Sequence, residues 1–171
     1  MTVRATPRLT HDVDVAVAVA DDRDAESLGR DLFAAGYRLL AQIEQEATGR
    51  LATVRFLSPG PSATGVIVDL LFASCGIEPE IVEAAERIEI EPGVVAPVAR
   101  REHLIAMKVL ARDDRNRPQD YDDLRSMIAR CDPGELARAR VAVELIRQRG
   151  ASRGRDLVES YDALLRDLGR G

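Results

Sequence analysis

The sequence predicts an α+β fold, with a mixed sheet and its helices to about residue 99 and a helical bundle from 100 to 171. Three observations carry this. Short β-type runs alternate with turn signals in the first half. One of them, Val66-Ile67-Val68-Asp69-Leu70-Leu71-Phe72, is apolar except for one acid and suggests a strand buried on both faces. From Arg100 onward apolar residues recur every three or four positions, as on helices.

The elements follow in order. Val13 to Ala20 reads as a strand entered through Asp12. Asp24 to Gly36 has helical spacing, with Leu28, Leu32 and Phe33 on one face and Gly36 as the stop. Tyr37 to Gln45 and Leu51 to Leu57 read as strands around a polar turn at Thr48-Gly49. The loop from Ser58 to Gly65 joins Leu51–Leu57 to the apolar run, and the two predict an antiparallel hairpin. Pro79 to Arg87 is a short helix, and Ile88–Ile90 and Val94–Val98 are short strands around Pro92-Gly93. Arg101 to Arg112 is the first helix of the second half. Pro118 suits the first turn of the next, which runs to about Arg130. Pro133 opens a third, to about Gln148, and Ser152 is the expected cap of a fourth, ending near Gly169.

Composition sets limits. A chain of 171 residues is one domain by length, with room for a helical appendage. No apolar run approaches the ~20 residues of a membrane span, and the polar start does not resemble a signal peptide. Cys75 and Cys131 lack a CxxC partner and read as free thiols of a cytoplasmic protein. A net charge of −5 argues against bulk coating of nucleic acid and leaves a local basic groove open. Arg147, Arg149, Arg153 and Arg155 would form such a groove, or else a solvated helix connection. Of 24 basic residues only Lys108 is lysine, which sets a compact point charge among planar forks.

The chemistry is carried by acids. Asp12 and Asp14 stand two apart on a strand, so both point to one face. Adjacent carboxylates repel and call for a cation or a proton, and Mg2+ is a hard ion suited to oxygen ligands. Asp69 sits inside an otherwise apolar strand, where a carboxylate needs compensation. If that strand pairs beside Asp12 and Asp14, Asp69 completes a three-acid cluster able to hold metal and orient a triphosphate. The alternatives are a turn-capping Asp12, a solvated Asp14, and an Asp69 bonded to buried backbone or to an arginine.

The segment Arg8-Leu9-Thr10-His11-Asp12-Val13-Asp14-Val15 resembles the R-x-T-x-D-h-D-h segment of DNA polymerase β-like nucleotidyltransferases, and more narrowly that of the AbiEii/MenT toxins of toxin–antitoxin systems. His103 to Ala111 resembles that family's lysine helix, and Arg117-Pro118-Gln119-Asp120-Tyr121-Asp122-Asp123-Leu124 resembles its R-x-K-D-x-x-D-L segment. The resemblance implies a polymerase β-like core, Mg2+ on Asp12 and Asp14, Lys108 on nucleotide phosphate and Asp120 in support. Arg8, Thr10 and Arg117 join the expected nucleotide contacts, with Asp69 as the expected third metal ligand. It also implies an NTP donor, a pyrimidine triphosphate above all, a tRNA 3′ end as acceptor, and a cognate antitoxin partner. Two positions depart from the pattern. Gln119 stands where the family has lysine, and Met1-Thr2 falls where a Gly-Ser helix N-terminus cradles the triphosphate. Either the chain start lies too far downstream or this is a minimal form. Two other readings therefore stay open: a degenerate domain binding nucleotide or protein, and a transferase acting on aminoglycoside-type small molecules.

Overall fold

The computed structural model describes residues 12–45, 49–60, 65–116 and 119–170. It divides into two compact units. One comprises residues 12–74 and 78–83 among those described. The other comprises 75–77 and 84–170.

In the first unit the strands are β1 (Asp12–Ala16), β2 (Arg38–Glu44), β3 (Leu51–Leu57) and β4 (Ile67–Leu71). They form one mixed sheet in the order β1-β4-β3-β2. The expected hairpin is present, with β3 and β4 antiparallel and Thr53 to Leu57 paired with Leu71 to Ile67. β1 runs parallel to β4 at the sheet edge. Helix α1 (Asp22–Ala34) connects β1 to β2. It starts two residues before the sequence reading placed it, because the Asp21 carboxylate caps the Asp24 backbone N–H at 3.1 Å. Gly36 takes φ +90° just beyond its end, as expected of a stop.

Strand β3 shows why the sheet has two unlike faces. Ala52, Val54 and Phe56 are buried and alternate with more exposed residues. Val54, Phe56, Leu70 and Phe72 form a core with Ala25, against which Leu28 and Leu32 of α1 and Tyr37 pack. Strand β4 is fully buried only at Asp69 and Leu70. These two neighbours point to opposite faces, so β4 is buried on both faces at its centre and half-buried at its ends. Helix α2 (Glu78–Glu83) is shorter than expected, and buries Ile81 and Glu78, the latter accepting from Ser74 Oγ at 3.0 Å.

The second unit contains the two-stranded sheet of β5 (Glu86–Glu91) and β6 (Val94–Val98) and the helices α3 (Arg101–Ala111), α4 (Gln119–Ile128), α5 (Pro133–Gln148) and α6 (Leu157–Asp167). The residues between 84 and 99, grouped with the sheet half in the sequence reading, cluster here with the helices. Ile105, Val109, Leu124, Met127, Ile128, Val143, Ile146, Leu157 and Leu164 are buried at or near zero exposure. They are the apolar positions of the three- and four-residue pattern. Tyr161, equally buried, donates its hydroxyl to Leu136 O at 2.8 Å.

Helix α5 opens with a complete capping box between Asp132 and Glu135. The expected Ser152 cap of α6 is corrected. Arg153 and Gly154 both take positive φ, 53° and 71°, and turn the chain before the helix begins. Asp156 then caps the Glu159 N–H at 3.0 Å.

Candidate functional site

Register builds the acidic row. Asp14 of β1 is the direct neighbour of Asp69 on β4, and Asp69 is the direct neighbour of Arg55 on β3. Paired residues on adjacent strands share a face. Three consecutive strands therefore carry acid, acid and arginine in one line, and Asp12 lies on the same side as Asp14.

Asp69 is 6% exposed. Its compensation is a two-point ion pair, with Arg55 Nε donating to Oδ1 at 2.8 Å and an Arg55 terminal nitrogen to Oδ2 at 2.6 Å. Such forked pairs are the strongest charge-assisted bonds. Arg55 is itself nearly half exposed, so water screens part of the gain.

Among the described residues Asp14 has no such forked partner, and its carboxyl is pushed above the ordinary value of 3.8. Partial burial is the main cause, followed by the negative charges of Asp69 and then Asp12; Arg55 opposes the shift weakly. The side chain still meets solvent at the sheet edge, where β1 is mostly exposed. Repulsion that a neighbouring cation only partly offsets is what an anion pair suited to a divalent ion shows. Among the described residues, no three His, Cys, Asp or Glu groups converge as a metal cage. What fits Mg2+ is the pair Asp12 and Asp14, since this ion takes one or two carboxylates and completes its shell with water and phosphate.

The second unit holds the lysine and its acids. Lys108 Nζ lies 2.8 Å from Asp123 Oδ2 and 3.5 Å from Asp120 Oδ1. All three side chains are largely buried, Lys108 being 14% exposed. Asp120 and Asp123 are one turn apart on α4 and thus meet the same ammonium from α3. The lysine is therefore an interior ion-paired group, with no snorkelling stem.

Three of the arginines at and after the end of α5 are engaged as structural donors. Arg155 donates to Leu110 O at 2.9 Å and Arg112 O at 3.1 Å, which satisfies open carbonyls at the end of α3. Arg147 pairs with Glu144 at 2.7 Å, and Arg149 bonds Gly76 O. Arg147, Arg149 and Arg155 thus take part in the helix connection that the sequence offers as the alternative to a groove. Arg8, Thr10 and Arg117 lie outside the described residues.

Arg55 is the residue the sequence reading missed. Its signal was present. Arg55 and Asp69 stand equally far from Ser62, the middle of the hairpin loop, so a symmetric hairpin sets them opposite one another.

A protein-family model described as nucleotidyl transferase AbiEii toxin, type IV TA system, matches residues 1–170. The chain belongs to the AbiEii family. That membership agrees with the α+β fold and makes a nucleotidyltransferase toxin of a toxin–antitoxin system the family setting of these residues. No curated protein matches the chain. Among the described residues no helix is long and apolar enough to cross a membrane.

Proposed function

We propose that this AbiEii-family chain is a Mg2+-dependent cytoplasmic nucleotidyltransferase that moves a nucleoside monophosphate from an NTP, a pyrimidine triphosphate above all, to the 3′ end of tRNA. The supporting observation is the strand register that aligns Asp14 with Asp69 and sets Asp12 on the same face, in a chain of this family. Asp12 and Asp14 would hold the ion, and Asp69 is the third acid of the row.

The bound ion would supply charge neutralisation and orientation of the phosphates. The residues of the chain do the rest. Asp12 and Asp14 supply two same-face carboxylates that fix where a triphosphate sits. The acceptor hydroxyl oxygen forms a bond to the α-phosphorus, the bond to the β-phosphate oxygen breaks, pyrophosphate leaves, and the hydroxyl proton passes to water. Lys108 as a phosphate contact, Asp120 as its support, and Arg8, Thr10 and Arg117 as nucleotide contacts carry over from the family resemblance. A cognate antitoxin completes the proposal.

The test is transfer of label from each of four α-32P NTPs to bulk tRNA in Mg2+. Label on the tRNA 3′ end from a pyrimidine NTP, absent with Asp12→Ala or Asp14→Ala, is the expected result. Transfer by both variants equal to the parent overturns the metal assignment. Label on an aminoglycoside in place of RNA moves the acceptor to a small molecule.

One observation favours a second reading. Lys108 and Arg55 are each already engaged by carboxylates. A domain that binds nucleotide without transferring it would keep those pairs for stability alone. Calorimetric binding of an NTP without any transfer separates that reading from the first.

A further inference from the structure

The three-acid row does not present three free carboxylates. Asp69 gives both oxygens to Arg55, at 2.8 and 2.6 Å. The pair is set by backbone register, because Arg55 and Asp69 are directly opposed in the β3–β4 ladder. Asp14 is in turn directly opposed to Asp69 across the β4–β1 ladder. The guanidinium thus sits on the far side of Asp69 from the Asp12–Asp14 pair, and holds the carboxylate that a second metal ion would need.

We propose that Arg55 takes the place of a second metal ion: it holds Asp69 as its own ion-pair partner, so the acid row carries one divalent ion, on Asp12 and Asp14. This rests on the metal–nucleotide reading above and narrows it. Three arguments support it. A carboxylate forked by arginine has one lone pair of each oxygen committed, which leaves it only the outer lone pairs and a weakened negative charge to offer a metal. Mg2+ binds through one or two carboxylates plus phosphate oxygens and water, so Asp12 and Asp14 suffice without Asp69. The described residues also form no cage of three metal-binding side chains. Arg55 uses two of its five N–H donors on Asp69 and is about half exposed, so the fork keeps donors for an incoming phosphate oxygen. A guanidinium neutralises charge and orients oxygen, but it does not lower the pKa of a bound hydroxyl as a metal does.

Bound Mn2+ counted by electron paramagnetic resonance tests this on the whole chain, without turnover. The reference is the Asp12→Asn/Asp14→Asn double variant, which removes the proposed ligands. The parent is expected to bind one Mn2+ more than this reference. Arg55→Gln frees Asp69 and is expected to bind one further ion, two above the reference. Asp69→Asn is the safer variant, since it removes a buried charge and keeps the strand. It is expected to retain the parent's count, with affinity falling less than about tenfold. A parent count two above the reference, or an Asp69→Asn count below the parent's, overturns the role of Arg55 while leaving the metal reading standing. A parent that binds no more Mn2+ than the double variant removes the metal reading itself, and the role of Arg55 with it. If Arg55→Gln does not fold, the Asp69→Asn count decides alone.

Discussion

Asp14 lies at a sheet edge between two like charges, and its burial and those charges both resist ionisation. Its carboxyl titrates above 3.8, so in the metal-free protein the ionised form costs stability. The cost is present at neutral pH and is relieved as the pH falls through the raised value. Asp14→Asn should therefore melt higher than the parent in chelator at neutral pH. The gap should narrow as the pH is lowered toward 4, as scanning calorimetry would read; a variant that melts lower at neutral pH contradicts the electrostatic account. Lys108 is the opposite case. Its ammonium compensates two largely buried acids, so Lys108→Ala should lose about 3 kcal/mol of stability in a urea titration. Lys108→Arg keeps the charge and should fold, yet lose at least about tenfold in transfer if a point charge is what the nucleotide needs. The meeting of Asp14 with Asp69, and of Lys108 with Asp120 and Asp123, was legible from the sequence, because lone charges in apolar or arginine-rich settings are conspicuous. The partners were only half legible. Asp123 was visible one helical turn from Asp120, whereas Arg55 becomes the partner of Asp69 only once the hairpin register is fixed.

Elements with sharp punctuation were read to the residue. Leu51–Leu57 is bounded by a polar turn and the Ser58–Gly65 loop, and Pro133–Gln148 begins at a proline just after a capping aspartate. Elements bounded by ambiguous signals drifted. The helix expected to reach Arg87 ends at Glu83, since Arg87-Ile88-Glu89-Ile90 alternates and pairs with β6. The cap of α6 was misplaced by four residues because Ser152 has the chemistry of a cap but not its position. Positive φ at Arg153 and Gly154 delays the helix, and a left-handed arginine has no strong sequence signature. Chemical denaturation should separate the two positions. Asp156→Ala is expected to cost about 1 kcal/mol, as cap removals do, and Ser152→Ala less than about 0.5 kcal/mol. The reverse order would return the cap to Ser152.

The candidate residues lie on two compact units, acids on the sheet and the lysine on the helices, and Asp69 and Lys108 each find their ion-pair partners within their own unit. Both cysteines are buried and neither forms a disulfide, and burial pushes the Cys131 thiol up. A thiol reagent at neutral pH should therefore leave both cysteines intact in the folded protein and modify both in denaturant. Rapid reaction of either in the native state would show that its surroundings open readily. The net charge of −5 means that the proposed RNA acceptor would have to be held by local groups, since the overall field of the protein repels RNA. The central claim is that the Asp12–Asp14 pair binds metal and nucleotide together, and calorimetry reads it directly. Each NTP is titrated in Mg2+ into the parent and into the folded Asp12→Asn/Asp14→Asn variant. The account predicts that the parent binds at least one pyrimidine NTP and that the variant binds it at least about tenfold more weakly, about 1.4 kcal/mol. Equal affinity in the two proteins, or no binding by a folded parent, would contradict it.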